Sequence, residues 1–379
     1  MSKFTLIISE KPNAATRIAD ALAESKVKKV GSRGAYWLEF ERKGRKHICV
    51  PAVGHLFTLN SVKGNGWDYP DFKVEWVPTY TNKGSEFTKK YFKNIKKVAK
   101  DAEEFIMATD FDTEGEVIGY NILRFICKQE DAKRMKFSTL TKSELEESYE
   151  NVLPHVVFGQ AEAGLTRHYL DFYWGINVTR ALTLAMKEHM KGFTVVSSGR
   201  VQSPTLHMLT KREIKIRKFI PTPYWQLELN CLIDNKLLTA DYEEDKIWEK
   251  EKAQGIYEKC KGKDAKVKKV DKRKYKQKPP VPLDTTKLQS LAYSYFGYSP
   301  KQTMSIAEAL YNAGLISYPR TSSQKLPEKI GYEKILSKLA KNSLYEKDCK
   351  KLLSQKSLKP REGKKKDPAH PAIFPTGEF

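Results

Sequence analysis

Three carboxylates alternate in Asp110-Phe111-Asp112-Thr113-Glu114, directly after the apolar run Phe105–Ala108. A fourth, Glu10, directly follows another apolar run, Phe4–Ile8. In an open α/β sheet, ligands sit beyond the carboxyl ends of the strands. Two such runs ending side by side would converge Glu10, Asp110, Asp112 and Glu114, a donor set that suits a hard cation such as Mg²⁺. An EF-hand calcium loop does not fit. Asp110, Asp112 and Gly115 match its first, third and sixth positions, but Glu114 stands at the fifth and Asn121 where a bidentate Glu belongs. A solvated acidic loop is the plain alternative.

The second chemical signal is Tyr318, in Ile316-Ser317-Tyr318-Pro319-Arg320-Thr321-Ser322. A phenol, with a pKa of about 10, becomes a nucleophile only when its proton can be removed. Arg320, two residues on, can stabilise both a phenolate and a phosphate under attack. One tyrosine among nineteen is more simply part of a strand and turn. Lys11 could hold a phosphate, or merely be solvated at a helix start. Arg167 and Asp171, four apart, share a helix face, where an intrahelical ion pair is the ordinary reading. Gly199-Arg200-Val201-Gln202-Ser203 could set Arg200 and a helix N-terminus against a DNA phosphate. His370 has no metal-ligating neighbour, and no His-Glu-x-x-His occurs. No Walker-type phosphate loop is present, which speaks against ATP use. Breaking and rejoining a strand without ATP requires that the bond energy be kept covalently, as a phosphotyrosine ester would keep it.

The elements that would position these groups are legible from periodicity. Phe4–Ile8 reads as a buried strand, Ala14–Ala23 as an amphipathic helix, and Tyr36–Phe40 with His47–Val50 as a hairpin around Lys43-Gly44. Helices are expected over 85–100, 117–126 and 165–190, with another following the Gly199–Pro204 segment. Strands alternating with helices over 1–150 predict an α/β domain with a mostly parallel sheet. Strands are expected over 224–238. Lys259–Lys278 then holds eleven Lys/Arg against two acids and precedes Pro279-Pro280, which predicts a linker and a boundary. Helices over 285–296 and 300–312, joined by Gly297-Tyr298-Ser299, have helix-turn-helix spacing.

The chain has 379 residues, long enough for two or three domains, and carries 68 Lys+Arg against 46 Asp+Glu, a net charge of +22. That surplus points to a polyanion, since Lys and Arg release condensed counterions on binding phosphates. No apolar run approaches the ~20 residues of a membrane span, and the first apolar stretch is too short for a secretory signal, so a cytoplasmic protein is expected. The five cysteines are scattered without any Cys-x-x-Cys, which argues against disulfides and against a cysteine-based zinc site.

Each element is modest singly; their order is specific. Ser9-Glu10-Lys11-Pro12, the Asp110–Glu116 cluster, Gly199–Ser203, Tyr318-Pro319-Arg320-Thr321-Ser322 and His370-Pro371-Ala372-Ile373-x-Pro375-Thr376-Gly377 together resemble the type IA DNA topoisomerases, from Leu6 to Gly377. The Asp-Thr-Glu-Gly-Glu form is most similar to archaeal members and to the topoisomerase half of reverse gyrase. Thr113 and Ser322 stand where many bacterial relatives have Arg and Asp. The resemblance implies a Toprim domain over 1–150, a mainly helical single-strand groove segment over 151–220, a β arm with basic linker over 221–280, and a winged-helix-like tyrosine domain over 281–379. It further implies Mg²⁺ on Glu10, Asp110, Asp112 and Glu114, and Tyr318 attacking a single-stranded phosphodiester to form a 5′-phosphotyrosyl link. Arg320, Lys11 and His370 would handle the scissile phosphate, and Glu10 the proton of the 3′ oxygen. Arg167, Asp171, Arg200, Gln202 and Ser203 would line the strand groove. The partner would be single-stranded or negatively supercoiled DNA in the cytoplasm, with no ATP and no zinc site. The family's chain returns after the tyrosine domain to complete its arch, so a chain stopping at Phe379 reads as an N-terminal part forming an incomplete toroid. A Toprim nuclease, or a non-catalytic DNA-binding module, would use only some of these motifs.

Overall fold

The computed structural model describes residues 3–32, 35–64, 66–187, 189 and 192–379. The chain divides into two compact units, Met1–Arg200 with Pro279–Phe379, and Val201–Lys278.

The first unit is built on a six-stranded sheet. Its elements begin β1 (Phe4–Ser9), α1 (Pro12–Leu22), β2 (Lys28–Ser32), β3 (Ala35–Arg42), β4 (Arg45–Pro51), β5 (Phe57–Ser61) and β6 (Val74–Pro78). They continue α2 (Thr88–Ala99), β7 (Ala102–Ala108), α3 (Thr113–Ile122), β8 (Lys133–Arg134), α4 (Lys142–Glu150) and α5 (Phe158–Lys187). The strand order is β2-β3-β4-β1-β7-β8, and β5 pairs separately with β6. The sheet is parallel in three of its five pairings, in line with the expected mostly parallel one, and antiparallel along one edge. The pairs β4–β1, β1–β7 and β7–β8 are parallel, while β2–β3 and β3–β4 are antiparallel. The reason is local. Lys43 and Gly44 both take positive φ, 51° and 70°, the backbone of a tight two-residue hairpin that returns the chain antiparallel. The expected helix over 165–190 runs from 158, and its expected last residues lie partly outside the described ones.

The central strands are apolar on both faces, as sheets covered on both sides require. One face packs α2 and α3 through Ile95, Val98, Ile118 and Ile122. The other packs α1 and α4 through Ile18, Leu22 and Leu145, and that same layer includes Tyr311 and Tyr318. Glycine at position 164 lets α5 approach α3: a Cβ there would lie 2.3 Å from Val117 Cγ2.

In the second unit, α6 (Gln202–Arg217) precedes an antiparallel hairpin, β9 (Glu228–Ile233) with β10 (Lys236–Asp241), and then α7 (Lys250–Cys260). Residues 263–282, most of the lysine-rich segment, carry no helix or strand. Back in the first unit, α8 (Thr285–Phe296) and α9 (Pro300–Asn312) flank the short expected connection. Gly297 ends α8 with φ 69°, and the Ser299 hydroxyl caps α9. Then come α10 (Tyr332–Leu339) and α11 (Glu346–Leu353), two helices not among those expected. Among the described residues, no helix is long and apolar enough to cross a membrane.

A buried ion pair fastens the end of β7. Arg134 and Glu116 are both 0% exposed and meet at 2.9 Å. Arg134 also donates to the carbonyls of Thr109, Asp110 and Met135, and Glu116 accepts the Val157 N–H. Removing one member leaves an uncompensated buried charge. Arg134→Met is therefore expected to destabilise the chain by about 3–5 kcal/mol in urea unfolding, and Arg134→Met with Glu116→Leu by less than Arg134→Met alone.

Candidate active site

Two neighbouring strand ends create the site. In the β1–β7 pairing Ser9 lies opposite Ala108, so Glu10 and the Thr109–Asp110 pair leave the sheet side by side. Glu10 and Asp110 are buried there. Lys11 Nζ lies 3.2 Å from Glu10 and 3.8 Å from Asp110. Burial alone would lower the Lys11 pKa, but Glu10 and Asp110 outweigh it and hold the ammonium above its ordinary value. Asp112 begins α3 and does two jobs. One carboxylate oxygen caps the helix by accepting the Gly115 N–H at 2.7 Å. The other accepts the hydroxyl proton of Tyr318.

Tyr318 reaches the carboxylates because its own turn is tied down. Its N–H donates to Ser138 O, and the Thr285 hydroxyl donates to the carbonyls flanking Arg320. The phenol is raised in pKa by burial and by Asp110 and Asp112. His370 packs beside the ring, tilted by 40° with centroids 4.6 Å apart. The Ser138 hydroxyl lies 3.0 Å from His370 Nδ1, and Nε2 lies 3.1 Å from the Phe111 carbonyl, which can only accept. The ring therefore carries its proton on Nε2. Burial lowers its pKa to about 4, so it is neutral at physiological pH. Arg320 pairs with Glu308 of α9, a contact that raises its pKa.

A residue the sequence reading missed completes this centre. Tyr311 is buried, donates to Asp110 at 3.0 Å and packs edge-on against Tyr318 at 5.2 Å. It lies one buried helical face back along α9, a position that only tertiary packing reveals.

Glu114, Arg167, Asp171 and Arg200 form a second cluster. Arg167 Nη1 lies 3.1 Å from one Glu114 oxygen as an ion pair, and the other oxygen faces His55 at 3.0 Å and His168 at 3.3 Å. These contacts, chiefly those of His168 and His55, hold its pKa well below the carboxylate range. Arg167 lies 3.7 Å from Asp171, and Arg200 binds both Asp171 oxygens, at 2.6 and 3.2 Å. Gln202 and Ser203 open α6 in the other unit. Among the described residues, His55, Glu114 and His168 are the one group of three His, Cys, Asp or Glu whose ligand atoms all lie within 4.8 Å of one another. Glu10, Asp110, Asp112 and Glu114 do not form such a set in this structure. Neither His55 nor His168 lies in a motif, so sequence spacing held no signal for them.

An α/β sheet with acidic groups at its carboxyl edge, joined to a buried tyrosine, defines the class. A family profile described as the Toprim domain matches residues 5–140, and one described as DNA topoisomerase matches residues 156–379. The chain belongs to the DNA topoisomerase family. It is 48% identical over 377 residues to DNA topoisomerase 1 of Pyrococcus horikoshii, covering 99% of this chain and 55% of that protein. To DNA topoisomerase 1 of Methanocaldococcus jannaschii it is 48% identical, covering 97% of this chain and 48% of that protein. The chain thus spans about half the length of these curated relatives. Full-length topoisomerase I from Thermotoga maritima shares the fold, with a TM-score of 0.63 at 24% identity over 98% of this chain and 55% of that one.

The charge crowding has a measurable consequence. Burial, then Glu10 and Asp112, push the Asp110 carboxyl up to about 7 from an ordinary 3.8, against the opposing effects of Lys11 and Tyr311. The folded chain thus holds a proton that the unfolded chain releases. This group's contribution favours folding at low pH and is lost as pH rises through about 7. In metal-free buffer, Asp110→Asn is expected to raise the thermal midpoint near pH 8, with the gain shrinking as the pH is lowered to about 5. A gain of equal size at both pH values would contradict the crowding.

Proposed function

We propose that the chain carries the cleavage centre of a type IA DNA topoisomerase. Tyr318 attacks a single-stranded phosphodiester, a 5′-phosphotyrosyl ester conserves the bond energy, and the free 3′-hydroxyl reverses the step to rejoin the strand. The observation that carries this reading is the Tyr318 hydroxyl donating to Asp112, one strand end from Glu10 and Asp110. A nucleophilic phenol needs a proton acceptor within hydrogen-bond reach, and Asp112 is placed to be one. Lys11, with Arg320 once it exchanges Glu308 for substrate, neutralises the phosphate. Glu10 is placed to return a proton to the leaving 3′ oxygen. Neutral His370 packs the tyrosine ring, and its Nε2–H is the donor available to a phosphate if it releases the Phe111 carbonyl.

Mg²⁺ fits the oxygen-only donors Glu10, Asp110 and Asp112, since a cation relieves the crowding that keeps Asp110 protonated. When bound, it supplies positive charge that aligns the phosphate and offsets the carboxylates around the phenol. Glu114, expected in the same set, here faces His55 and His168.

The reading extends to the architecture. Residues 151–220 supply a strand groove, with Arg167, Asp171, Arg200, Gln202 and Ser203 along it; 221–280 form a β arm; 281–379 form a winged-helix-like domain. The substrate is single-stranded or negatively supercoiled DNA, which the net charge of +22 favours, and the setting is the cytoplasm, on the nucleoid. Strand passage and relaxation are functions of the whole enzyme and are proposed for it, not for the cleavage centre alone.

The test is a denaturing-gel trap of single-stranded, 3′-labelled DNA. A labelled protein adduct is expected with the wild-type chain and none with Tyr318→Phe, while the variant's single-strand affinity stays within a few-fold. An adduct that persists in Tyr318→Phe would remove the assignment. Asp110→Ala with Asp112→Ala is expected to abolish the Mg²⁺ dependence of rejoining, and an unchanged dependence would remove the oxygen set as the cation's site.

A further inference from the structure

The cluster at Glu114 has chemistry of a different kind from the oxygen set beside Tyr318. We propose that His55, Glu114 and His168 form a binding site for one borderline divalent transition cation of the Zn²⁺ class, with a fourth position open to solvent. Three separate elements supply the ligands. His55 comes from the β4–β5 loop, Glu114 from the first turn of α3, and His168 from α5. Two imidazole nitrogens and a carboxylate oxygen are the donors that such cations prefer, whereas Mg²⁺ and Ca²⁺ take oxygen.

The spacing fits. Bonds of about 2.0–2.1 Å in a tetrahedron place neighbouring ligand atoms roughly 3.3 Å apart. Glu114 Oε2 lies 3.0 Å from His55 Nε2 and 3.3 Å from His168 Nε2, and all three atoms fall within 4.8 Å of one another. Little movement is needed to admit an ion between them.

The ligands are also held in place. Gly54 N–H donates to the Glu10 carbonyl, and the Thr79 hydroxyl donates to the His55 carbonyl, which fixes the loop on both sides of the imidazole. Arg167 occupies the other Glu114 oxygen and leaves Oε2 turned to the histidines. The His168 ring meets His55 and Trp76 edge-on. Side-chain exposures of 30%, 32% and 29% for His55, Glu114 and His168 give an ion entry and leave room for a water. Buried His55 Nδ1 has no hydrogen-bond partner, so one outer support common around zinc is missing. The site is accordingly an exchangeable one rather than a structural staple. The expectation of no zinc site rested on cysteine spacing, and this cluster uses no cysteine.

Bound there, the ion would fix the first turn of α3 to α5, next to the Arg167–Asp171–Arg200 chain. It is separate from the carboxylates around Tyr318.

Co²⁺ is the probe, because tetrahedral nitrogen–oxygen coordination gives visible d–d absorption without the near-ultraviolet band of thiolate ligation. Titrated into the 379-residue chain, Co²⁺ is expected to give one equivalent of such absorption, displaced by Zn²⁺ and retained in excess Mg²⁺. His55→Gln with His168→Gln keeps amide donors to Glu114 but removes both nitrogen ligands. It is expected to weaken Co²⁺ binding by roughly tenfold or more while circular dichroism stays unchanged. Should the pair fail to fold, Glu114→Gln supplies the same comparison. Absence of the absorption, its loss in excess Mg²⁺, or full retention in these variants would overturn the site. The readout needs neither DNA nor Tyr318, so its failure leaves the nucleophile assignment standing.

Discussion

The guanidinium of Arg134 holds the carboxyl end of the sheet. It lies fully buried, gives one N–H to Glu116 and spends the others on the carbonyls of Thr109, Asp110 and Met135. The Thr109 and Asp110 carbonyls belong to the turn that aims Asp110 and Asp112, the Met135 carbonyl directly follows β8, and Glu116 sits one helical turn further along α3. Burying a charge pair is costly and adds little net stability unless every donor is satisfied. Here it specifies geometry. The loop after β7 cannot shift without unpairing a buried cation, so the two carboxylates stay at fixed positions beside Glu10.

That rigidity allows an arrangement that would otherwise relax away. Three carboxylates crowd one strand edge, with Lys11 as the nearest cation, and two buried phenols donate into them. Each phenol is held protonated by burial and by the acids around it. Tyr318 is therefore held as the neutral phenol, and in the proposed reaction a phosphate with its counter-charge would have to enter before its proton is given up. The same crowding is what the proposed Mg²⁺ would relieve. The chain as a whole carries the opposite sign, a net +22, which suits the polyanion proposed as its substrate.

Much of this was legible in the sequence, for physical reasons. Buried strands such as Phe4–Ser9 and helices such as Thr88–Ala99 carry periodic apolar patterns, and Glu10 and Asp110 follow such strands directly. The order of the short motifs pointed to the family. Hidden were the groups whose role depends on packing between distant segments. Tyr311 and His168 sit in ordinary helical patterns, and His55 in a loop, yet each meets its carboxylate across dozens to hundreds of residues. The antiparallel return from β3 to β4 is the hairpin that Lys43-Gly44 marks in the sequence. Glu114 shows the limit of spacing arguments: it shares a motif with Asp110 and Asp112, but one helical turn aims it at different partners.

The proposed reaction turns on one covalent bond, which mass-spectrometric mapping of the DNA-linked peptide reads out. After cleavage of single-stranded DNA and exhaustive nuclease and protease digestion, a nucleotide joined through its 5′-phosphate to the peptide containing Tyr318 is expected. A nucleotide on the neighbouring Tyr311, or one joined through a 3′-phosphate, would contradict it.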